Sequence, residues 1–273
     1  MQAAILGVAQ GLTEFLPISS SAHLVVIPWA LDWPHDPNMM AFDVALHIGT
    51  LLAVIMFFFF DWLMIVSSYI GDIRQKNYAG GPMGSLLWKI AIATVPAAVA
   101  GKIFEKDIEA FFYQNTANIW MLAITMSLFG LALLLVSRRP SVERDLKTIT
   151  YRDAALIGCF QALALIPGTS RSGITILGGL LLGLARPAAA RFSFLAALPI
   201  TLGAVSLKSK DLKDVEDFGP LYTGIIVSAI VGIIAIKGLL KYVQNRSYGI
   251  FAYYRFAFAA ALLALYWYKT QTV

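Results

Sequence analysis

The chain has 273 residues, 59% of them hydrophobic and only 14% charged, where a soluble domain carries about 25% charged residues. That balance excludes a soluble globular domain and indicates a polytopic membrane protein, with apolar runs of helical length rather than barrel strands. The net charge of +5 reads as positive-inside asymmetry rather than a nucleic-acid surface, and the single cysteine, Cys159, excludes an intrachain disulfide and a cysteine-built metal site.

Residues 1–10 lack the basic n-region of a cleavable signal peptide. Residues 3–16 form a short apolar segment interrupted by Gln10, Thr13 and Glu14, and it stops at Pro17. Ile18, Ser19, Ser20, Ser21, Ala22 and His23 follow, then a second apolar arm at 24–31. Neither arm approaches the roughly 20 residues that cross a bilayer. The spacing predicts a re-entrant helix–loop–helix hairpin with a hydroxyl-rich apex. The same design returns later. Apolar runs 154–166 and 174–184 flank Pro167-Gly168-Thr169-Ser170-Arg171-Ser172-Gly173, with Thr175 just beyond. Pro167 and Gly168 should break the helix there.

The two hairpins also correspond residue by residue. Gly7, Gln10 and Leu12 match Gly158, Gln161 and Leu163 at an offset of 151. Pro17 and Ser20 match Pro167 and Ser170 at 150, and so does Phe42 with Phe192. Three longer apolar segments follow each hairpin: 42–60, 86–104 and 119–137, then 188–207, 221–240 and 250–268. The expected fold is therefore an all-α polytopic membrane domain spanning 1–273. Its halves, 1–137 and 153–273, are joined by the charged linker 138–152. A hairpin crosses no membrane and three spans cross it three times, so the second half enters from the opposite face. That makes an inverted repeat, which places sites near the midplane.

Loops 61–85, 138–152, 184–191 and 241–248 hold 11 Lys and Arg. The termini with loops 28–41, 105–117 and 208–219 hold 5, together with many acids, Asp32, Asp36 and Glu109 among them. The first set is then cytoplasmic and both termini lie outside. Cysteines at Asn38 and Asn115 should label from outside, and one at Ser141 should not.

Gln10 and Glu14 are spaced i, i+4 and share a helix face. They offer oxygens to a hard cation such as Mg²⁺ or Ca²⁺, or Glu14 acts as a general base; a plain reading is a polar stripe at a helix contact. Ser19, Ser20, Ser21 and His23 supply a candidate nucleophile, Ser20 or His23, while serines there also cap free helix-start N–H groups. Ser170, Arg171, Ser172 and Thr175 form an anion site in a low-dielectric setting, where a guanidinium fork suits phosphate oxygens. Asp43 and His47 could line the same cavity. Arg255 is expected either to pair with an acid or to act in catalysis. Lys89, Lys102 and Lys237 should snorkel, and the phenylalanines at 57–60 should face lipid. No Walker loop, HExxH or GxGxxG fingerprint is present.

At its two apices the chain resembles the bacterial undecaprenyl-diphosphate phosphatase family, the integral-membrane group linked to bacitracin resistance. The stretch Gln10-Gly11-Leu12-Thr13-Glu14-Phe15-Leu16-Pro17-Ile18-Ser19-Ser20-Ser21-Ala22-His23 matches the family's acid-or-amide, three residues, Glu signature followed by Pro, serines and His. The second apex, through Thr175, matches its Pro-Gly-x-Ser-Arg-Ser-x-x-Thr signature, and Tyr254-Arg255 extends the likeness toward the C-terminus. The resemblance implies hydrolysis of undecaprenyl diphosphate to undecaprenyl phosphate and inorganic phosphate in the bacterial inner membrane, recycling the carrier for wall synthesis. It implies a divalent cation near Glu14 and Gln10, Ser20 or His23 as nucleophile or base, and Ser19, Ser170, Arg171, Ser172 and Thr175 around the diphosphate. Gln10 departs from the Glu of many members, which leaves one carboxylate fewer for a metal. The competing reading is a transporter or flippase of polyprenyl-phosphate lipids, because inverted repeats with broken helices are also a transporter plan.

Overall fold

The computed structural model describes residues 1–34, 39–112, 118–139, 144–212 and 217–271. Among these residues it is helical and carries no strand, only an isolated bridge between Arg144 and Leu184. The helices are α1 Gln2–Phe15, α2 Ser20–Ala30, α3 Met39–Phe57, α4 Phe59–Arg74, α5 Leu86–Phe112 and α6 Met121–Ser137. After the linker come α7 Tyr151–Ala162, α8 Arg171–Leu181, α9 Arg186–Lys208, α10 Gly219–Tyr242 and α11 Gly249–Gln271.

Both broken segments form where the prolines require them. A residue before proline is pushed out of the helical region, and Leu16 is extended at ψ 140°. A 3₁₀ turn, Leu163–Leu165, leads from α7 to Ile166, which is extended at ψ 117° ahead of Pro167. Each second arm then opens from a serine with positive φ: Ser19 at 73° before α2 and Ser170 at 75° before α8. These two serines are therefore backbone equivalents, at an offset of 151. The sequence match of Ser20 with Ser170 is one residue out, because the extra residue falls between the proline and the serine turn.

Five helices are long and apolar enough to cross a bilayer: α3, the Leu86–Phe104 part of α5, α9, α10 and α11. The sixth expected span, 119–137, begins two residues late. Ile119 and Trp120 form a turn, and α6 keeps 17 residues, about 25 Å at 1.5 Å per residue and at the lower limit for spanning. The expected span 42–60 is also cut. It starts at Met39 and ends at Phe57, and α4 continues through a stretch expected to be loop. The interruption is Phe58, which is fully buried against Phe57 and Phe194, with ring centroids at 5.0 and 6.1 Å. Of the phenylalanine run expected to face lipid, Phe58 is thus core, while Phe59 and Phe60 are exposed. Lys102 and Lys237 are exposed, as their end positions require. Lys89 is not: it is buried, donates to Ser85 Oγ at 2.8 Å and lies 5.5 Å from the Tyr151 ring centre.

Small residues decide how the helices pack, as expected where lipid removes the hydrophobic drive between them. On α10, Gly224, Ser228 and Gly232 are buried at i, i+4 spacing against α1 and α3, while Ile226, Ile230 and Ile234 are exposed. A Cβ on Gly11 would stand 2.8 Å from the Ser228 carbonyl oxygen. The same contact recurs in the other half. Gly158 of α7 meets α5, and a Cβ there would stand 2.8 Å from the Ala93 carbonyl oxygen. So α1 lies on α10 as α7 lies on α5, and α1 packs on α2 as α7 packs on α8. Arg144 ties the linker to the second half by donating to Leu182 O at 2.6 Å and to Asp153 at 2.6 Å, and Leu146 and Ile149 are buried.

Gly49 is the tightest of these contacts: a Cβ there would overlap the Ser228 hydroxyl and the Ile225 carbonyl. Gly49→Ala should destabilise the protein by about 1–3 kcal/mol through overpacking. Gly203→Ala, whose Cβ would meet nothing within 4 Å, should be neutral or stabilising, since alanine is the better helix former. Thermal unfolding of both variants in one detergent checks the pair. Equal midpoints would show that α3 and α10 do not depend on this approach.

Candidate active site

The two apices meet. Arg171, the first residue of α8, donates from Nη2 to Glu14 Oε1 at 2.8 Å. Ser20, the first residue of α2, donates to Glu14 Oε2 at 2.7 Å. Glu14 sits in the last turn of α1, so three broken-helix ends converge on one buried carboxylate. Ser172 Oγ reaches Leu16 O at 3.3 Å, and Gly168 N–H reaches Ser21 Oγ at 3.4 Å, which ties the tips together through their backbones as well.

Each serine turn is built alike. Ser19 Oγ lies 3.1 Å from Ser21 Oγ, and Ser170 Oγ lies 3.2 Å from Ser172 Oγ. Ser170 also caps α8 by accepting from Gly173 N–H at 3.1 Å, the usual role of a serine at a helix start. Ser19 shows no such cap bond. Gly168 takes φ 87°, and its α-hydrogen side faces the Thr125 hydroxyl. That hydroxyl donates to Pro167 O at 2.7 Å.

His23 is held at both nitrogens. Nδ1 lies 2.7 Å from Ser19 O, which can only accept, so Nδ1 carries the proton. Nε2 then accepts from the Tyr254 hydroxyl at 2.7 Å. Phe258 packs on the ring at 4.4 Å between centroids. His23 thus faces α11, while Ser20 faces Glu14. Thr175 turns its hydroxyl toward α9. It donates to Arg171 O at 2.8 Å and lies 2.6 Å from Ser193 Oγ. Ser193 O in turn accepts from Arg171 Nη1 at 3.2 Å. Thr175 and Ser193 therefore brace Arg171 from behind.

Sequence reasoning missed Ser193 and the Tyr254 hydroxyl. A lone serine inside an apolar span gives no local signal. Its counterpart in the repeat, at an offset of 150, is Asp43, so the match pairs an acid with a serine and conceals their shared place. Tyr254, beside Tyr253 on the last span, reads as an interfacial aromatic.

Arg255 is the other residue that the structure re-assigns. Among the described residues it pairs with no acid. Its guanidinium is buried and donates to backbone carbonyls, those of Met126, Pro17, Thr169 and Gly168. Asp43 and His47 lie on α3, where His47 Nδ1 donates to the Asp43 carbonyl at 2.8 Å, and His47 is within electrostatic reach of Glu14. Gln10 donates to Glu14 Oε2 at 3.3 Å, and its own Oε1 is buried without a hydrogen-bond partner. That orphan oxygen and the Glu14 carboxylate are the right donors for a hard cation. Among the described residues no three His, Cys, Asp or Glu side chains gather as a metal cage, so any ion held here would need further oxygens from a ligand.

A carboxylate bonded to a serine and facing an arginine, on tips too short to cross the membrane, can activate a hydroxyl beside an anion site. Comparison with known proteins points the same way. Over 267 residues the chain is 43% identical to an undecaprenyl-diphosphatase of Moorella thermoacetica, covering 98% of each protein. It is 46% identical over 270 residues to the protein of that name from Trichlorobacter lovleyi, covering 97% of this chain and 96% of the relative. The Caldicellulosiruptor bescii protein of the same name is 46% identical over 268 residues, covering 97% of each. A family profile described as bacitracin resistance protein BacA matches residues 3–261, which takes in both apices and Arg255. With a match of that extent, this chain belongs to the bacitracin resistance protein BacA family.

Proposed function

We propose that the protein hydrolyses undecaprenyl diphosphate to undecaprenyl phosphate and inorganic phosphate, and so recycles the lipid carrier of cell-wall synthesis. The single observation that carries this reading is the Ser20–Glu14–Arg171 chain of hydrogen bonds, at 2.7 and 2.8 Å, across the two apices. The shared name of the relatives supports the substrate. The transporter reading has no comparable support among them.

In this reading Arg171 offers its fork to the diphosphate, with Ser19, Ser170 and Ser172 as nearby donors. A carboxylate freed of a neighbouring cation takes a proton more readily, so Glu14 accepts the Ser20 proton as Arg171 engages the substrate. Ser20 Oγ attacks the terminal phosphorus, the anhydride P–O bond breaks, and undecaprenyl phosphate leaves. Water then attacks the same phosphorus, the bond to Ser20 breaks, and Glu14 returns its proton to the serine oxygen as inorganic phosphate departs. Between the two candidates for nucleophile, Ser20 is favoured because both His23 nitrogens are engaged elsewhere. A divalent cation, Mg²⁺ or Ca²⁺, belongs to the same proposal. Glu14 and Gln10 Oε1 would hold it with phosphate oxygens, and it would neutralise charge on the diphosphate.

The setting is the bacterial inner membrane. The two halves form an inverted repeat, with both termini and the opening of the site on the outer face. Basic residues concentrated in the opposite loops support that orientation, and the like pairing of helices in the two halves supports the repeat.

Four measurements test this reading. Arg171→Ala and Glu14→Ala should each lower phosphate release by purified protein at least about a hundredfold, the scale of a lost electrostatic stabiliser. Ser20→Ala should abolish the acid-stable label that a terminally ³²P-labelled substrate leaves on the wild type; wild-type turnover in a folded Arg171→Ala protein would remove that residue from the site. Chelation should stop turnover, and Mg²⁺ or Ca²⁺ should restore it; full activity in excess chelator would remove the cation from the mechanism. In a Cys159→Ser background, cysteines at Asn38 and Asn115 should label from outside and one at Ser141 should not. These three positions lie outside the described residues, and outside labelling at Ser141 would reverse the orientation.

A further inference from the structure

Arg255 is 1% exposed, and no carboxylate pairs with it among the described residues. Burying a charge without a partner is costly. Its contacts explain what it does there. Nε donates to Met126 O at 2.9 Å on α6, where Gly130 leaves room for the side chain. Nη1 donates to Thr169 O at 3.0 Å and Pro17 O at 3.4 Å, and Nη2 donates to Gly168 O at 2.7 Å. One guanidinium therefore grips the backbone of both apices from behind.

Those bonds have a directional consequence. In a trans peptide the N–H points opposite to the C=O. The N–H groups paired with the three gripped carbonyls are those of Ile18, Thr169 and Ser170, and all three point away from Arg255. Ile18 N–H is used by Leu16 O at 2.7 Å, and Thr169 N–H by Ile166 O at 3.1 Å. The Ser170 N–H has no acceptor among the described residues. It precedes Arg171 directly, in a turn with φ 75°.

We propose that Arg255 is a positioning residue: by holding Thr169 O and Gly168 O it locks the left-handed Ser170 turn and aims the free Ser170 N–H at the phosphate that Arg171 holds. The proposal rests on the phosphatase reading. The carbonyls satisfy the guanidinium's donors without neutralising it, so its positive charge also stands behind that N–H in a low-dielectric setting. A donor fixed in advance where charge develops stabilises the transition state more than the bound substrate.

The test separates fork geometry from charge and from stability. Arg255→Lys keeps the charge and loses the fork. Its kcat should fall about a hundredfold, the usual cost of an oxyanion donor, while KM stays within about threefold. An ester at the Thr169–Ser170 linkage, introduced by suppression with the hydroxy-acid analogue of serine, deletes the Ser170 N–H and weakens the Thr169 carbonyl as an acceptor while every side chain stays in place. It should lower kcat on the same scale with an unchanged unfolding midpoint, so the inference remains testable if the lysine variant does not fold. Wild-type kcat in the ester variant overturns the inference and leaves the phosphatase reading standing. Wild-type protein that releases no phosphate overturns both.

Discussion

A helix that stops inside a membrane leaves backbone donors and acceptors with no water to satisfy them. This chain stops helices twice within its hairpins, and most of the polarity at the apices answers that demand. The Thr125 hydroxyl takes Pro167 O, Ser21 takes Gly168 N–H, Ser172 takes Leu16 O, and Ser170 takes Gly173 N–H. Arg255 takes three apex carbonyls more. Among the described residues, the buried side-chain atoms left without a partner on the hairpins are Gln10 Oε1, Gln161 Oε1 and Thr169 Oγ1, and helix-start N–H groups such as those of Ser170, Arg171 and Ser172 also have no acceptor. A site within lipid is best sought in that remainder, because each buried group without a partner carries a desolvation cost that the fold alone does not explain.

The two apices share one backbone turn and carry different side chains. With Ser19 and Ser170 as equivalents, Ser20 stands where Arg171 stands, and both touch Glu14. Position 14 itself corresponds to Leu165, and His23 to Ile174. One half thus supplies the acid, the hydroxyl and the histidine, and the other supplies the cation. The charges that meet across the apices are therefore opposite, Glu14 from one tip and Arg171 from the other.

The hairpins were legible in the sequence because proline, hydroxyls and short apolar arms are local signals. The apical residues were legible too, since an ionisable group inside an apolar run is conspicuous. Reading failed where the partner was backbone or distant. Arg255 suggested an acid because side chains are what a sequence displays, and its real partners are carbonyls. Lys89 suggested snorkelling from its place near a span end, but Ser85 and the Tyr151 ring enclose it. The break at Phe58 has no proline or glycine to announce it. There Phe58 packs against Phe194, which lies 136 positions away in the chain.

The two serine turns show why the apices tolerate strain. Positive φ in a residue other than glycine costs on the order of 1–3 kcal/mol, and glycine would remove that cost. Glycine at 170 would also remove the cap on Gly173 N–H and the partner of Ser172. Replacing a capping serine with glycine costs only a few tenths of a kcal/mol, so stability alone favours glycine at this position. The hydroxyl beside Arg171 is what glycine could not supply. Strain at Ser170 is then a consequence of placing a hydroxyl, an N–H and a guanidinium on three consecutive groups, with Arg255 holding the turn that no local preference would keep.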